Sequence, residues 1–208
     1  PSFRCSAYDN VHVPWGSNHE STWDIVKHTP YCCGQFIWTG WDYIGEPTPY
    51  GFPARSSYFG IIDLAGFPKD SYYMYQSEWT DKPVLHLFPH WNWLEGQDID
   101  MWCYYNNYDD VELFVNGKSQ GVQRKKDSHQ FHVAWRVKYE PGEVKVVAHR
   151  GGKAVAEQTI RTAGAPDHIR LPAARSAMTA DGKSLAFVTV EVLDKDGNLC
   201  PHADDQIF

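Results

Sequence analysis

From Pro83 onward the sequence runs in short stretches of alternating apolar and polar residues cut by turn dipeptides, and that pattern confines this half of the chain to antiparallel β structure. Strands are predicted at 84–88, 99–105, 111–115, 131–137, 144–149 and 154–160, with Asn116-Gly117, Pro141-Gly142 and Gly151-Gly152 as breaks. In Phe131-His132-Val133-Ala134-Trp135-Arg136-Val137 the large apolar residues fall on every second position, which gives one buried and one wet face. Several such strands at this spacing make a sandwich. Thr162-Ala163-Gly164-Ala165-Pro166 reads as a small boundary. Beyond it a second β signal predicts strands at 168–171 and 184–194, the latter with Ala186, Val188, Val190 and Val192 on one face, and a turn at Asp196-Gly197-Asn198. About three strands cannot close a sandwich, so this last module is expected to be incomplete or to dock onto its neighbour.

The first eighty or so residues follow a different rule, alternating helix and strand signals. Ser17-Asn18-His19-Glu20 has the spacing of a capping box, and the helix it would open carries Trp23, Ile25 and Val26 before Thr29-Pro30 stops it. Gly34 and the mostly apolar Gln35-Phe36-Ile37-Trp38-Thr39 then read as a strand buried on both faces of a parallel sheet. Helix, glycine and buried strand form an α/β unit. A loop over 40–58 follows, dense in Gly, Pro and aromatics, and loops of that length inside a compact segment usually serve a function. A second helix is predicted from Pro68, carrying Tyr72, Tyr73, Tyr75 and Trp79.

Composition excludes several classes. A net charge of -7, with Arg124-Lys125-Lys126 as the longest basic run, argues against a nucleic-acid or acidic-membrane surface. No stretch approaches the roughly 20 apolar residues needed to span a bilayer. The start, Pro1-Ser2-Phe3-Arg4, lacks an initiator Met and a leader pattern and reads as an internal cut. Five cysteines, at 5, 32, 33, 103 and 200, show no repeated spacing, so neither a disulfide framework nor a zinc site is expected. Cys32 and Cys33 are expected to be small buried residues at a helix end. Aromatic residues make up 15% of the chain, with nine Trp, which suits either a core or a surface for stacking on sugar C–H faces.

Chemistry concentrates in the segment from Phe36 to Tyr50. If the 35–39 strand ends a parallel barrel, its C-terminal end lies on the face where barrel enzymes bind substrate, placing Trp38, Asp42 and Glu46 at the mouth of a pocket. Trp38 offers an apolar platform; Asp42 and Glu46 offer acceptors for sugar hydroxyls. Casting the two carboxylates as acid and nucleophile, which stand about 5–5.5 Å apart in retaining glycosidases, is disfavoured, because barrel catalysts usually come from several strands. A structural alternative stays open, in which Asp42 caps a turn, Glu46 pairs with Arg55 and Trp38 is core. His86 and His90 read as structural, since Pro89 interrupts their strand. Asp194-Lys195-Asp196-Gly197-Asn198 lacks the later bidentate Glu of a calcium loop and reads as a plain turn. No metal site and no cofactor are expected.

Phe36-Ile37-Trp38-Thr39-Gly40-Trp41-Asp42-Tyr43-Ile44-Gly45-Glu46-Pro47-Thr48-Pro49-Tyr50 resembles the eighth barrel strand and loop of bacterial family-two β-galactosidases, and the run from Ala54 to Asp70 looks like its continuation. His86-Leu87-Phe88-Pro89-His90-Trp91-Asn92-Trp93 and the run from Val111 to Ser119 resemble the immunoglobulin-like domain that follows the barrel in this family, and 181–192 is similar to the start of the next sandwich. The resemblance implies an α/β remnant of a TIM barrel over 1–80, an immunoglobulin-like β-sandwich over 81–163 and part of a second sandwich over 164–208. It implies a parent enzyme that hydrolyses a terminal β-linked sugar, most often galactose, with retention, by two glutamates lying before Pro1. The chain alone would then be inactive, with no catalytic residue of its own. Trp38 would wall the sugar subsite, Glu46 would bind hydroxyls and Asp42 would assist; Trp41 replaces a residue that is often polar in relatives. The expected partner is an oligosaccharide or glycoside, with no nucleic acid and no membrane; a homo-oligomer and a periplasmic or extracellular parent stay open. The rival reading is a non-catalytic sandwich that binds carbohydrate or a protein through exposed Trp91, Trp93 and Trp102, and a third is that the sandwiches only brace the barrel.

Overall fold

The computed structural model describes residues 6–204 and Gln206, so the readings made on Pro1-Ser2-Phe3-Arg4, Cys5, Asp205, Ile207 and Phe208 lie outside the described residues. Seven antiparallel strands make the central sandwich: β1 (Leu85–Phe88), β2 (Asp98–Tyr105), β3 (Asp110–Val115), β4 (Lys118–Gln123), β5 (His132–Lys138), β6 (Glu143–Arg150) and β7 (Lys153–Arg161). One sheet has the order β1-β2-β5 and the other β4-β3-β6-β7, so consecutive strands cross between layers as in immunoglobulin-type sandwiches. Alternation sets the register. Val133, Trp135 and Val137 of β5 face inward with Ile99, Met101 and Cys103 of β2, and meet Val111, Leu113, Val144, Val146 and Ala148 from the opposite sheet.

The strand missing from the sequence reading is β4. Its Lys-Ser-Gln-Gly-Val-Gln run has no apolar period because it is an edge strand with little buried surface, held by pairing to β3 rather than by packing. Asn116 and Gly117 form its hairpin with φ of 49° and 78°, the double left-handed geometry for which Asn-Gly is favoured.

Two helices, α1 (His19–Lys27) and α2 (Asp70–Trp79), cover the outer face of the three-stranded sheet. Met74 and Tyr75 of α2 pack with Ile61, Phe88, Tyr104 and Phe131, so the end of β2 is buried on both faces. The capping box does not close. The carboxylate of Asp9 instead accepts the His19 and Glu20 N–H groups at 2.9 and 2.7 Å, satisfying two of the helix's orphan donors. Glu20 is thereby released to the sandwich, where it accepts the Phe131 N–H at 2.9 Å and bonds His132 Nδ1 at 2.6 Å. A second clasp joins the helices to the sandwich: buried Glu78 receives Trp23 Nε1 and Lys27 at 2.9 and 2.7 Å, and Lys125 as well.

Two expectations for this half are corrected. Residues 35–39 form no strand and bend at Trp38, and Phe36 and Trp38 are 105% and 75% exposed, because no neighbouring strand lies beside them among the described residues. Their nearest pairing is one parallel bridge, Trp41 with Ile62. Cys32 and Cys33 are exposed, since the chain leaves α1 into an open turn rather than into a core.

In the last module, β8 (His168–Arg170) pairs with β9 (Glu191–Leu193), and the strand expected over 184–194 shortens to β9. Val188 and Val190 remain about half exposed, because no facing layer covers their alternating face among the described residues. The predicted turn does form, with Gly197 at φ 81°.

Candidate functional site

The long loop folds back on itself as an irregular clasp. Residues 39–45 run against 55–62: Ile61 N donates to Thr39 O at 3.1 Å, Ile62 N to Gly40 O at 2.9 Å, Ser57 N to Tyr43 O at 2.8 Å and Gly45 N to Arg55 O at 2.9 Å. Backbone pairing without apolar alternation explains why the sequence read as a structureless loop.

Asp42 is the fastener of this clasp. Its side chain is 6% exposed and its carboxylate receives Ser57 Oγ at 2.9 Å, Gly60 N at 2.8 Å and Lys69 Nζ at 2.5 Å. Three donors, one of them cationic, offset the cost of burying the charge. Lys69 also donates to the Tyr58 carbonyl at 2.9 Å. Residue 60 must be small, because a Cβ there would come within 2.7 Å of the Trp41 carbonyl carbon.

Trp38 and Glu46 occupy the open side. The Trp38 indole stands edge-on to Tyr43, with ring centroids 6.2 Å apart at 83°, and Tyr43 stands edge-on to Phe59 at 6.0 Å. The Tyr43 hydroxyl donates to Glu46 Oε2, and this carboxylate contact, ahead of partial burial, raises the phenol's pKa. The structure therefore brings Trp38 and Glu46 together through Tyr43 and sets Asp42 behind them. Neither the Glu46–Arg55 pair nor a buried Trp38 is found; the Arg55 guanidinium lies over the Phe52 ring.

Trp38 also borders a cleft of about 560 Å³ shared by Tyr8, Trp15, His19, Gln35 and Phe59. Within it Gln35 Nε2 donates to Tyr75 Oη at 3.2 Å, and His19 Nδ1 meets the same oxygen at 3.1 Å. Burial pushes the Tyr75 phenol up and His19 down. Tyr43, Ser57 and Lys69 escaped the sequence reading. Tyr43 alone carried a signal, an aromatic donor three residues before Glu46; Ser57 and Lys69 reach Asp42 only through the fold.

The sandwich aromatics are not a free platform. Trp91 is wholly buried in the core and donates to Glu140 O at 3.1 Å, Trp93 stacks on His90 at 4.4 Å, and Trp102 stacks on His132 at 3.5 Å. Trp91 therefore has no face open to a sugar, and Trp93 and Trp102, both partly buried, each have one face covered by a histidine. His86 stacks on Tyr73 and bonds Asp70 at 2.8 Å. Among the described residues no group of three or more His, Cys, Asp or Glu is arranged to hold a metal ion.

Comparison with known proteins bears on the family. Residues 96–156 match a domain of unknown function (DUF4982), and residues 169–208 match the glycoside hydrolase family 2 C-terminal domain 5. A β-galactosidase from Bacteroides ovatus is 68% identical over 99% of this chain. The chain belongs to glycoside hydrolase family 2. A putative β-glucuronidase from Formosa agariphila is 35% identical over 98% of the chain. Among solved structures, a β-glycosidase from Bacteroides vulgatus superposes with a TM-score of 0.87 over 97% of the chain at 35% identity. This family 2 chain spans about a quarter of these proteins: 24% of the Bacteroides ovatus enzyme, 20% of the Formosa agariphila protein and 25% of the Bacteroides vulgatus chain. No helix among the described residues is long and apolar enough to cross a membrane.

Proposed function

We propose that this chain belongs to a retaining β-glycosidase that releases a terminal, neutral, galactose-like sugar, and that Trp38 and Glu46 form a wall of the subsite holding that sugar. The observation that carries the reading is their juxtaposition: a 75% exposed indole and a carboxylate joined through Tyr43 on the open side of the clasp. An apolar ring takes the C–H face of a pyranose while an adjacent carboxylate accepts its hydroxyls. A neutral sugar is favoured over a uronic acid because the half-buried Glu46 carboxylate would repel a second one, and the ammonium of Lys69 is already committed to Asp42.

Residues 1–80 are read as the end of a (β/α)8 barrel, 81–163 as the immunoglobulin-like sandwich and 164–208 as part of a second one. Support for the barrel end comes from the apolar Phe36 and Trp38 side chains standing open, and from the parallel bridge of Trp41 with Ile62. The proton donor and the nucleophile would come from glutamates of the parent outside this chain. Asp42, buried and receiving three protein donors, supports the wall from behind.

The test is kinetic. In the full-length parent, aryl β-galactoside should be hydrolysed in preference to aryl β-glucuronide, and Trp38→Ala should lower kcat/KM by about 100-fold, as expected for losing a stacked aromatic contact of roughly 2–3 kcal/mol. The 208-residue chain alone should show no turnover. Robust hydrolysis by the isolated chain, or a Trp38→Ala parent with unchanged kinetics, refutes the assignment.

A further inference from the structure

We propose that Tyr43 is a positioning residue that sets Trp38 and Glu46 as one rigid unit, so that the platform and the acceptor meet the sugar at a fixed mutual angle; this rests on the sugar-wall reading above.

The backbone of Tyr43 is held from both sides by one residue. Tyr43 N donates to Ser57 Oγ at 3.1 Å, and Ser57 N donates to Tyr43 O at 2.8 Å. Ser57 is itself buried and bonded to Asp42, so the anchor of Tyr43 is the fastener of the clasp. The ring is then trapped edge-on between Trp38 and Phe59, leaving it little freedom to turn. What remains is the hydroxyl, and it donates to Glu46. A glutamate on an exposed loop otherwise samples many rotamers, and ordering it on sugar binding would cost about 1 kcal/mol or more of side-chain entropy. A charge-assisted bond to an immobile phenol removes that cost beforehand. The Trp38 edge and the Glu46 carboxylate thus read their orientation from one ring, which touches neither the reacting bond nor, by this assignment, the sugar.

The decisive experiment is a double-mutant cycle in the full-length parent, with kcat and KM for an aryl β-galactoside and the inhibition constant of free galactose measured for Tyr43→Phe, Glu46→Ala and the double variant. Phenylalanine keeps the ring between Trp38 and Phe59 and removes the hydroxyl, which donates to Glu46 and also receives a hydrogen bond from the Trp38 side chain. Tyr43→Phe should raise KM and the galactose inhibition constant about tenfold, the scale of one hydrogen bond to a charged group, with kcat changed far less and Tm preserved. In the Glu46→Ala background the same change should cost less than about twofold, because its target is gone. A purely structural role would give losses that multiply and a lowered Tm. Wild-type kinetics for Tyr43→Phe beside an impaired Glu46→Ala, or multiplying losses, overturn the inference while leaving the sugar wall standing. Wild-type kinetics for both Trp38→Ala and Glu46→Ala end the sugar wall, and this inference with it.

Discussion

Replacing Asp42 by Asn tests whether the clasp behind Trp38 is held by charge. The amide keeps Oδ1 for Ser57 Oγ and Gly60 N but turns an N–H₂ toward the Lys69 ammonium, so a 2.5 Å ion pair becomes donor against donor. Removing one member of a buried pair costs about 3–5 kcal/mol when the other stays buried and unpaired. Lys69 is 25% exposed and retains the Tyr58 carbonyl, which brings the expected loss to about 2–3 kcal/mol. At about 1.4 kcal/mol per factor of ten, local opening becomes roughly 30- to 150-fold more frequent. Hydrogen exchange reads this directly at the Gly60, Ile61 and Ile62 amides, whose acceptors are Asp42 Oδ1, Thr39 O and Gly40 O. Adding Lys69→Met should restore most of the protection, because the stranded charge is gone while the Oδ1 acceptor remains. Unchanged exchange in Asp42→Asn, or no recovery in the double variant, refutes the claim that this ion pair closes the loop.

Two further perturbations address the joints between modules. His90 accepts the Asn92 N–H on Nδ1 at 3.2 Å, and burial, with His202 adding to it, depresses its pKa below 6.5. Below that unfolded value the unfolded chain binds the proton more readily, so stability is full above about pH 6.5 and is lost as pH falls toward the depressed folded value. Urea unfolding of His90→Gln should therefore fall less between pH 7.5 and 5 than that of the parent sequence; equal slopes would count against it. Asp194 receives Gly164 N at 2.8 Å, Asp196 N at 2.9 Å and Asn198 N at 2.8 Å, and these bonds, led by Gly164, hold its carboxyl well below the usual range. Asp194→Ala should quicken proteolytic cleavage around residues 164–167 and leave the sandwich intact; cleavage at the original rate would show that Asp194 does not tie the modules.

How much of this was legible in the sequence depends on whether a feature arises locally. The strands β2, β3, β5 and β6 follow from period-two burial, since each side chain's destination is set by its own parity. Both helices announce themselves similarly, yet their partners do not: Asp9 sits ten residues before the end it caps, and Glu20, in the box position, goes instead to His132. β4 is invisible because an edge strand is specified by its neighbour's hydrogen bonds. The apolar content of 35–39 and 184–190 predicts burial correctly only where a covering layer is present, and none stands there among the described residues.

The same distinction decides what can be said of the site. Trp38, Asp42 and Glu46 share one short stretch, but adjacency in sequence says nothing about which face of an irregular loop each residue occupies. The sorting agent is the return strand. Ser57, Gly60 and Lys69 pull Asp42 to the inside, and a loop so fastened must turn Tyr43 and Glu46 outward beside Trp38. Two carboxylates that look equivalent in the sequence thus acquire different duties in the fold: Asp42 receives three protein donors and fastens the clasp, whereas the described partner of Glu46 is a single phenol, which leaves more of its acceptor sites open. Exchanging those duties would require moving Lys69, which enters the clasp from the segment leading into α2, a helix fixed on the sandwich by Met74 and Tyr75. The sandwich therefore reaches the candidate sugar wall by two routes, the Lys69 ion pair with Asp42 and the packing of Ile61 against Met74 and Tyr75.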